Sequence, residues 1–399
     1  MQYEPLNKIF YKNYEAYQSI YQKRFNNESA YRYNFAVGDD QAFVIITLEI
    51  LNLITDILQL DKRLLKAIQS VPPIAIDQFT KKCIVEEIQL TNEIEGVQST
   101  RKEIREVIQA DEAKKKSKRM YGLVQKYMML SQGEKISLRT CRDIRTLYDE
   151  FVLAEVKTDN PANVPDGEIF RKDMVEVVSP SQKVIHKGLY PEDKIISAMT
   201  ATLDVLHNDQ LNYFVNIAVF HYMFGYIHPF YDGNGRMSRF ISSYLLNQRL
   251  EAVVGFGLST TIKNKIKKYY DLFKDTNDYR NKGDLTPFVI GFLEFIAEAI
   301  ETLCKTIEEK SEQFTFYIDK VDHYADNNKA LRDILFVLVQ ISLFEDEGIG
   351  ISELAEAADM GKSTVRMWLK KITGDVLISQ QSGRTIVYRI DLDVMARIK

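Results

Sequence analysis

The sequence predicts a mainly α-helical protein with one β-hairpin inside its helical core and a winged helix-turn-helix at its C-terminal end. Three observations predict this fold class. Apolar residues recur with the period of an α-helix over most of the chain. Prolines and glycines surround short β-prone segments between residues 160 and 188. After residue 330, two short helical patterns precede two strand patterns.

The first helices are predicted from their apolar stripes. A wide stripe runs from residue 42 to residue 68, and Pro72 and Pro73 then interrupt the pattern. A second helix is expected over about 77–96, and a third over 101–116, after a capping signature that starts at Ser99.

The middle of the chain changes character and then returns to helix. The proline- and glycine-rich stretch favours a hairpin around residues 175–185. Helical patterns resume over 192–207, 212–226, 261–274 and 286–309. The helical pattern also continues directly after a glycine-rich loop at residues 232–235.

The C-terminal part has its own pattern. A polar segment at 322–329 indicates a boundary, and a helix is predicted over 330–343. Two short helices joined by a turn at 359–361 and two strands then complete a winged helix-turn-helix. The predicted divisions are an N-terminal helical region at 1–75, a core at 76–310, a linker at 311–329 and the winged domain at 330–399.

Composition bounds the class of protein. The 399 residues suit two or three domains, and 45% hydrophobic with 27% charged residues is ordinary for a globular protein. A net charge of −4 argues against a protein that mainly coats nucleic acid. Cys83, Cys141 and Cys304 lack metal-ligand spacing and are expected to be reduced core residues. The sequence also has no apolar signal segment and no membrane-length apolar run, so we expect a cytoplasmic protein.

The segment His228–Arg239 carries the chemistry. Gly233 and Gly235 flank Asn234 just before a helix, which lets backbone N–H groups converge on an anion beside the positive helix end. Arg236 and Arg239 are three residues apart on that helix, so they can hold further phosphate groups.

Two residues of the same segment supply the remaining chemical groups. Asp232 offers a hard oxygen ligand for a Mg²⁺ ion that bridges phosphates. His228 has the pKa range of a base that takes a proton from a hydroxyl. Together the segment provides a base, a metal ligand, an anion cradle and phosphate clamps.

These residues resemble the Fic signature HxFx(D/E)GNGRxxR at every specified position, and the likeness covers roughly residues 40–300. The resemblance implies a Fic-type catalytic core that transfers AMP from ATP to a Tyr, Ser or Thr hydroxyl of a target protein or of itself, releasing pyrophosphate. His228 would be the base and Asp232 the Mg²⁺ ligand. Gly233, Asn234 and Gly235 would cradle phosphates, Arg236 and Arg239 would hold the β- and γ-phosphates, and the hairpin would register the target.

A second motif resembles the Fic inhibitory sequence (S/T)xxxE(G/N). Thr91 and Glu95 are four residues apart on one helix face, and Gly96 fits a helix C-cap. The resemblance implies an autoinhibited enzyme of the class with an N-terminal inhibitory helix, in which Glu95 pairs with Arg239 and blocks the γ-phosphate clamp.

Rival interpretations differ in how far the residues support them. A calcium loop fails because Arg236 and Met237 stand where an oxygen ligand and a glycine belong. A metal pair of His221 and His228 lacks a third ligand. A regulator that only senses a nucleotide would need neither His228 nor Asp232. Transfer of another phosphate-linked group, or removal of AMP, stays open.

The role of the winged domain also stays open. Residues 351–399 hold eight Lys/Arg and six Asp/Glu, a balance of only +2, and Lys362, Arg366, Lys370 and Lys371 lie on or near its second helix. Contact with DNA and a role in protein docking or homodimer formation are both retained.

Overall fold

The computed structural model describes residues 3–110, 118–178, 184–382 and 385–398. These residues are mostly helical, which confirms the predicted mainly α class. Two compact units divide the chain: residues 1–61 with 86–300, and residues 62–85 with 301–399. In the described part, no helix is both long and apolar enough to cross a membrane.

The first unit contains the site. Its helices are α1 (Leu6–Lys12), α2 (Tyr14–Phe25), α5 (Arg101–Gln109), α6 (Tyr121–Ser131), α7 (Cys141–Phe151), α8 (Leu153–Asp159), α9 (Glu192–Leu206), α10 (Tyr213–Ile227), α11 (Asn234–Asn247), α12 (Leu258–Asn264) and α13 (Ile266–Asn277). Its strands form two antiparallel hairpins, β1 (Ala30–Val37) with β2 (Asp40–Ile45) and β3 (Glu176–Val178) with β4 (Val184–Lys187). The chain passes between the units within α3 (Leu48–Gln69), α4 (Pro73–Ile94) and α14 (Thr286–Ala325).

The second unit ends in helices and a small sheet. After α15 (Lys329–Phe344) come β5 (Ile349–Gly350), α16 (Ile351–Ala357), α17 (Lys362–Leu369), β6 (Leu377–Ser382), β7 (Thr385–Ile390) and α18 (Leu392–Ala396). The sheet order is β5-β7-β6. The end of α14 holds the last residues, since Tyr317 donates to Leu392 O at 3.2 Å and Lys320 donates to Ile398 O at 2.7 Å.

Helices α10 and α11 form the centre of the first unit. Nearly every side chain of α10 is buried, which explains why its apolar residues cover the whole helix surface instead of one stripe. Most residues of α11 are buried too, including two arginines near its start. The loop between these helices is therefore held at both ends by core packing.

The predicted N-terminal helical region is only partly helical. Residues 30–45 form the hairpin β1–β2, so the helix predicted over 42–68 begins at Leu48 instead. The last four residues of β2 are all buried, because its far edge bonds to the segment 283–285. Such a strand has a continuous apolar run, which a helical period fits equally well.

Several helix boundaries differ from their predicted positions. Helix α4 begins at Pro73, a residue tolerated in the first helical turn, and not at residue 77. The cap of α5 is Thr100, whose partner in the capping box is Glu103, and residues 111–116 of the predicted third helix lie outside the described residues. The helix predicted over 261–274 divides at Lys265.

The predicted linker at 311–329 is mainly helical. Helix α14 continues to Ala325, well past the predicted end at residue 309. Its polar last turns bury Phe314 and Val321, so tertiary packing stabilises a segment whose polarity suggested a loop. The part of the predicted linker that is not helical is a short turn between α14 and α15.

A buried carboxylate anchors the N-terminal segment to this unit. Asp284 is inaccessible to solvent and accepts hydrogen bonds from the Tyr3 hydroxyl at 2.7 Å and from Arg24 Nη1 at 3.2 Å. It also accepts from the Thr286 N–H at 3.0 Å, at the start of α14. One side chain therefore joins three separate parts of the chain.

Replacing Asp284 with alanine should lower the free energy of unfolding by about 3 kcal/mol or more, because it leaves Arg24 without its buried counter-charge. Urea denaturation followed by circular dichroism measures the change. Arg142→Ala is the control, since Arg142 and Glu168 form an exposed pair worth about 1 kcal/mol or less. Equal effects of the two substitutions would contradict the anchoring role of Asp284.

Candidate functional site

The loop between α10 and α11 begins at His228. This residue ends α10 in the left-handed region, with φ of 52°, and its N–H donates to Phe224 O at 3.0 Å. Phe230 anchors the loop in the core, because its buried ring stacks on Tyr148 with ring centres 3.7 Å apart. The backbone of the loop is therefore fixed close to the His228 side chain.

Asn234 shapes the loop with its side chain. Its Oδ1 accepts from the Phe230 N–H at 2.9 Å, and its Nδ2 donates to the Phe230 carbonyl at 2.8 Å. The amide group is thus used within the protein, and any cradling of an anion by Asn234 falls to its backbone N–H. Gly233 has φ of 81°, a conformation that favours glycine.

The start of α11 forms an anion site. The first N–H groups of a helix have no acceptor within the helix, and the aligned peptide dipoles make this end positive. Asn234 and Gly235 open α11, so their N–H groups belong to this turn. The glycine-asparagine-glycine pattern therefore stands at a helix start, and the binding of phosphate there stays a prediction.

Arg236 is buried against two carboxylates. Its Nη1 donates to Glu155 Oε2 at 3.3 Å, and its Nη2 donates to Asp232 Oδ1 at 3.2 Å. In the described part of the chain, its Nε has no hydrogen-bond partner. The guanidinium is therefore held in place while one donor remains for another acceptor.

Arg239 contacts the helix predicted to be inhibitory. Its Nε donates to Thr91 Oγ1 at 2.8 Å, and its Nη2 donates to Thr91 O at 3.0 Å and to Glu95 Oε1 at 2.8 Å. Arg239 is 1% exposed and Glu95 is 27% exposed in this ion pair. All three residues belong to the same chain, and Gly96 ends the helix with φ of 75°.

The Glu95 carboxylate also packs against the start of α11. A Cβ atom built on Gly235 would collide with both carboxylate oxygens of Glu95. The carboxylate therefore lies at the positive end of the helix, where a bound anion is favoured. Two separate attractions, to Arg239 and to the helix end, hold Glu95 in this position.

His228 is neutral and presents one nitrogen as an acceptor. Its Nδ1 lies 3.4 Å from the Gly225 carbonyl, which only accepts hydrogen bonds, so this contact assigns the proton to Nδ1 and the lone pair to Nε2. Burial lowers the pKa of His228 to about 4, with smaller lowering by Arg171 and His186 and an opposite effect of Glu95. The imidazole is thus in the form that a base requires at neutral pH.

Asp232 is the only predicted metal ligand, and its surroundings fit one. Its two bonds, from the Gly233 N–H and from Arg236, both use Oδ1, which leaves Oδ2 for a cation. No group of three or more His, Cys, Asp or Glu residues suited to a metal occurs among the described residues. One carboxylate suffices for Mg²⁺ when substrate phosphates supply further ligands.

A pocket beside the loop brings most of these residues together. It is lined by Glu95, Val177, His186, Gly225, His228, Asn234, Gly235, Ser238, Arg239, Tyr269, Tyr270, Phe273 and Asn277. Tyr269 and Tyr270 line the pocket from α13. His186 and Asn277 carry no sequence signal, because neither belongs to a motif.

Two buried residues lie behind the pocket, and the sequence drew attention only to His221, as half of a rejected metal pair. His221 is fully buried and bonds to Ser242 Oγ and to the Tyr269 hydroxyl, each at 2.8 Å. Glu87, two turns before Glu95 on α4, is also fully buried and accepts from the Ser259 N–H at 2.9 Å. A lone buried glutamate has no motif, so burial alone reveals it.

Comparison with known proteins agrees with this geometry. Residues 140–246 match the model of the Fic/DOC family. Relatives named protein adenylyltransferase Fic from Drosophila yakuba and Drosophila melanogaster are each 32% identical over 181 residues, which is 45% of this chain and 31% of theirs. The chain thus spans about a third of the length of these curated relatives.

A solved structure has a similar fold. The crystal structure of a Fic family protein from Desulfovibrio desulfuricans G20 aligns with a TM-score of 0.52 at 20% identity, covering 86% of this chain and 96% of that one. At 20% sequence identity, this similarity is evidence for a similar fold alone.

Glu87 should make stability fall as pH rises. Burial raises the pKa of Glu87 to about 7, so the folded protein binds a proton that the unfolded chain releases near pH 4.5. The contribution of protonated Glu87 to the free energy of unfolding is therefore complete below pH 4.5 and is lost as pH rises through 7. Between pH 4.5 and 8, wild type should therefore lose about 3 kcal/mol more than Glu87→Gln.

Urea denaturation at several pH values measures this difference. The control is Glu168→Gln, which alters an exposed carboxylate and should leave the pH dependence of wild type unchanged. Parallel curves for wild type and Glu87→Gln would show that Glu87 is ionised in the folded protein throughout this range.

Proposed function

We propose that this chain is an autoinhibited protein adenylyltransferase. It transfers AMP from ATP to a Tyr, Ser or Thr hydroxyl of a target protein, or of itself, and releases pyrophosphate. The observation that carries the proposal is the contact of Glu95 with both Arg239 and the start of α11, beside His228. The Glu95 carboxylate occupies the helix start there, and His228 lines the same pocket.

His228 takes the proton in this reaction. The hydroxyl oxygen of the target attacks the α-phosphorus of ATP and forms a P–O bond, while the bond to the leaving pyrophosphate breaks. The hydroxyl proton passes to His228 Nε2, the nitrogen that keeps its lone pair. Since burial keeps the imidazole neutral, no proton must be lost before it acts.

The first turns of α11 bind the triphosphate. The backbone N–H groups of residues 233–235 cradle phosphate oxygens, Arg236 contacts the β-phosphate and Arg239 the γ-phosphate. Asp232 would hold Mg²⁺, which neutralises phosphate charge when bound. The free Nε of Arg236 supports its role, because a buried donor without a partner favours an incoming acceptor.

Glu95 restrains the enzyme from within its own chain. While Glu95 bonds to Arg239, the guanidinium cannot clamp the γ-phosphate, and the carboxylate repels an incoming phosphate at the helix start. ATP then binds without the geometry for in-line attack. Release requires α4 to move or Glu95 to turn away.

Two other functions are less well supported. A nucleotide sensor needs no base, yet His228 is held in the tautomer of a base. Removal of AMP or transfer of another phosphate-linked group would use the same residues. The two clamping arginines favour a triphosphate donor.

The C-terminal elements suit a winged helix-turn-helix that contacts DNA. Lys362, Arg366 and Lys370 are spaced by four residues and all are exposed, so they form one basic stripe along α17 and its end. The hairpin β6–β7 provides the wing, in a sheet that β5 completes. Homodimer formation through this domain is the other candidate, and on sequence grounds we place the protein in the cytoplasm.

Labelling should reveal the transfer and its restraint. With Mg²⁺ and ATP labelled at the α-phosphate, Glu95→Gly should incorporate label about tenfold faster than wild type or more, because Arg239 is released. His228→Ala in the Glu95→Gly background should lose about 10²- to 10⁴-fold in rate through loss of the base. Intact mass and scintillation counting after incubation with a cell extract measure incorporation.

The control is Glu93→Gly, which removes a neighbouring glutamate that pairs with Lys263 and leaves Arg239 untouched. Its rate should equal that of wild type. Calorimetry should find ATP binding retained in His228→Ala. If no variant incorporates label although ATP binding is intact, the result would favour a nucleotide sensor.

The basic stripe should determine any DNA contact. A gel shift with random duplex DNA at moderate salt should show binding by wild type that weakens at least tenfold in the triple variant Lys362→Ala, Arg366→Ala, Lys370→Ala. Lys305→Ala, on an exposed ion pair of α14, is the control. Absence of a shift with wild type would favour protein docking.

A further inference from the structure

Arg171 is a buried cation surrounded by backbone carbonyl groups. It is inaccessible to solvent, and its guanidinium donates to His228 O from Nε at 2.9 Å and to Leu189 O from Nη2 at 2.8 Å. Further bonds reach Asp173 O and Ile227 O. Burial lowers the pKa of Arg171 to about 10, so the charge is retained at neutral pH.

The acceptors come from three separate segments. Asp173 belongs to the loop before β3, Leu189 follows β4, and Ile227 with His228 forms the end of α10. Carbonyl groups at a helix end lack partners within the helix and carry partial negative charge, which a cation there satisfies. A single side chain therefore ties the hairpin β3–β4 to the residue that bears the imidazole.

Close packing strengthens this connection. A Cβ atom on Gly188, at the end of β4, would lie 3.1 Å from His228 Cβ and would collide with Arg171 Nη2. Leu189 also donates from its N–H to Ile227 O at 3.1 Å. The end of β4 thus has no room to shift without moving His228 or Arg171.

His228 adopts a conformation that needs such support. Left-handed backbone is costly for a residue with a side chain, on the order of 1 kcal/mol or more, and persists where the surroundings fix it. Arg171 bonds to the carbonyl of His228 itself, and the Arg171 N–H donates to Pro229 O at 3.3 Å. The peptide groups on both sides of the strained residue are therefore held.

We propose that Arg171 is a positioning residue, which fixes the His228 imidazole relative to the hairpin β3–β4 on which a target segment would be registered. This role rests on the proposed function of His228 as base. A target strand paired with the hairpin would then present its hydroxyl to an imidazole at a set distance. Loss of this positioning lowers the rate of transfer and leaves the phosphate cradle intact.

Two substitutions separate the effect of the Arg171 charge from the effect of its hydrogen bonds to several carbonyl groups. Arg171→Lys keeps the charge but reaches fewer carbonyl groups, and Arg171→Met keeps neither. In the Glu95→Gly background, kcat should fall about 10- to 100-fold in Arg171→Met and less in Arg171→Lys, because misplacement of a base by about 1 Å costs this much. The KM for ATP should stay within about twofold of its parent, since the cradle is unchanged.

The titration of His228 gives a readout that needs no turnover. The chain has five histidines, so nuclear magnetic resonance of the imidazole Cε1–H groups resolves them, and His228→Gln assigns the signal. The charged or titratable groups around His228 are Arg171, Glu95 just after α4, His186 on β4, Arg239 on α11, and Tyr269 and Tyr270 on α13. With the other groups unchanged, Arg171→Met should raise the pKa of His228, because a nearby positive charge is lost.

Arg145→Met is the matched control. Arg145 donates to Ile169 O at 2.9 Å in the loop before Arg171, yet has no contact with His228. This variant should keep the kcat and the His228 titration of its parent. If Arg171→Met fails to fold, Arg171→Lys carries both measurements.

Some results would overturn the proposal. These are an unchanged kcat and His228 titration in Arg171→Lys and Arg171→Met, or equal effects of Arg145→Met and Arg171→Met. If wild type and Glu95→Gly transfer no AMP, the proposed function fails. The titration then still decides whether Arg171 sets the environment of His228.

Discussion

The burial of two arginines on the first turns of α11 is the constraint on which the rest of the site depends. A buried guanidinium needs acceptors for its donors, and Arg236 and Arg239 obtain them from different elements. Arg236 draws on Glu155 of α8 and on Asp232 of the loop, while Arg239 draws on Thr91 of α4 and on Glu95, which directly follows α4. The packing of α4 and α8 around α11 is therefore coupled to where these positive charges lie.

The same constraint explains why the proposed restraint and the proposed phosphate binding would use the same atoms. In this structure Arg239 is satisfied by the hydroxyl and carbonyl of Thr91 and by the carboxylate of Glu95. If Glu95 leaves, the two Thr91 contacts still orient the guanidinium, and one donor becomes available for a phosphate. The proposed switch thus exchanges one anion for another, without exposing a bare buried charge.

Sequence patterns predicted the candidate site but not most of the buried groups that pack around it. His228, Asp232, Arg236 and Arg239 stand in one short segment, and Thr91 and Glu95 in another, so spacing alone identifies them. Supporting residues are scattered through the chain and act through burial or through backbone contacts: Glu87, Glu155, Arg171 and His221. No local pattern shows that an arginine will be surrounded by carbonyl groups.

The fold was predictable to a similar degree, and for similar reasons. Amphipathic helices with clear stripes were found, and the hairpin was placed by its prolines and glycines. The buried strand β2 and the polar end of α14 were assigned wrongly, because distant segments determine their environment. Patterns within one element cannot report on such partners.

Gly235 has a consequence for how this protein can change by mutation. Any side chain at this position would meet Glu95 in the restrained form and a phosphate in the proposed active form. A substitution there that displaces Glu95 therefore also fills the cradle, and relief of inhibition brings loss of binding. In the proposed mechanism, relief of inhibition without loss of phosphate binding is therefore expected from substitutions at Glu95 and not from substitutions at Gly235.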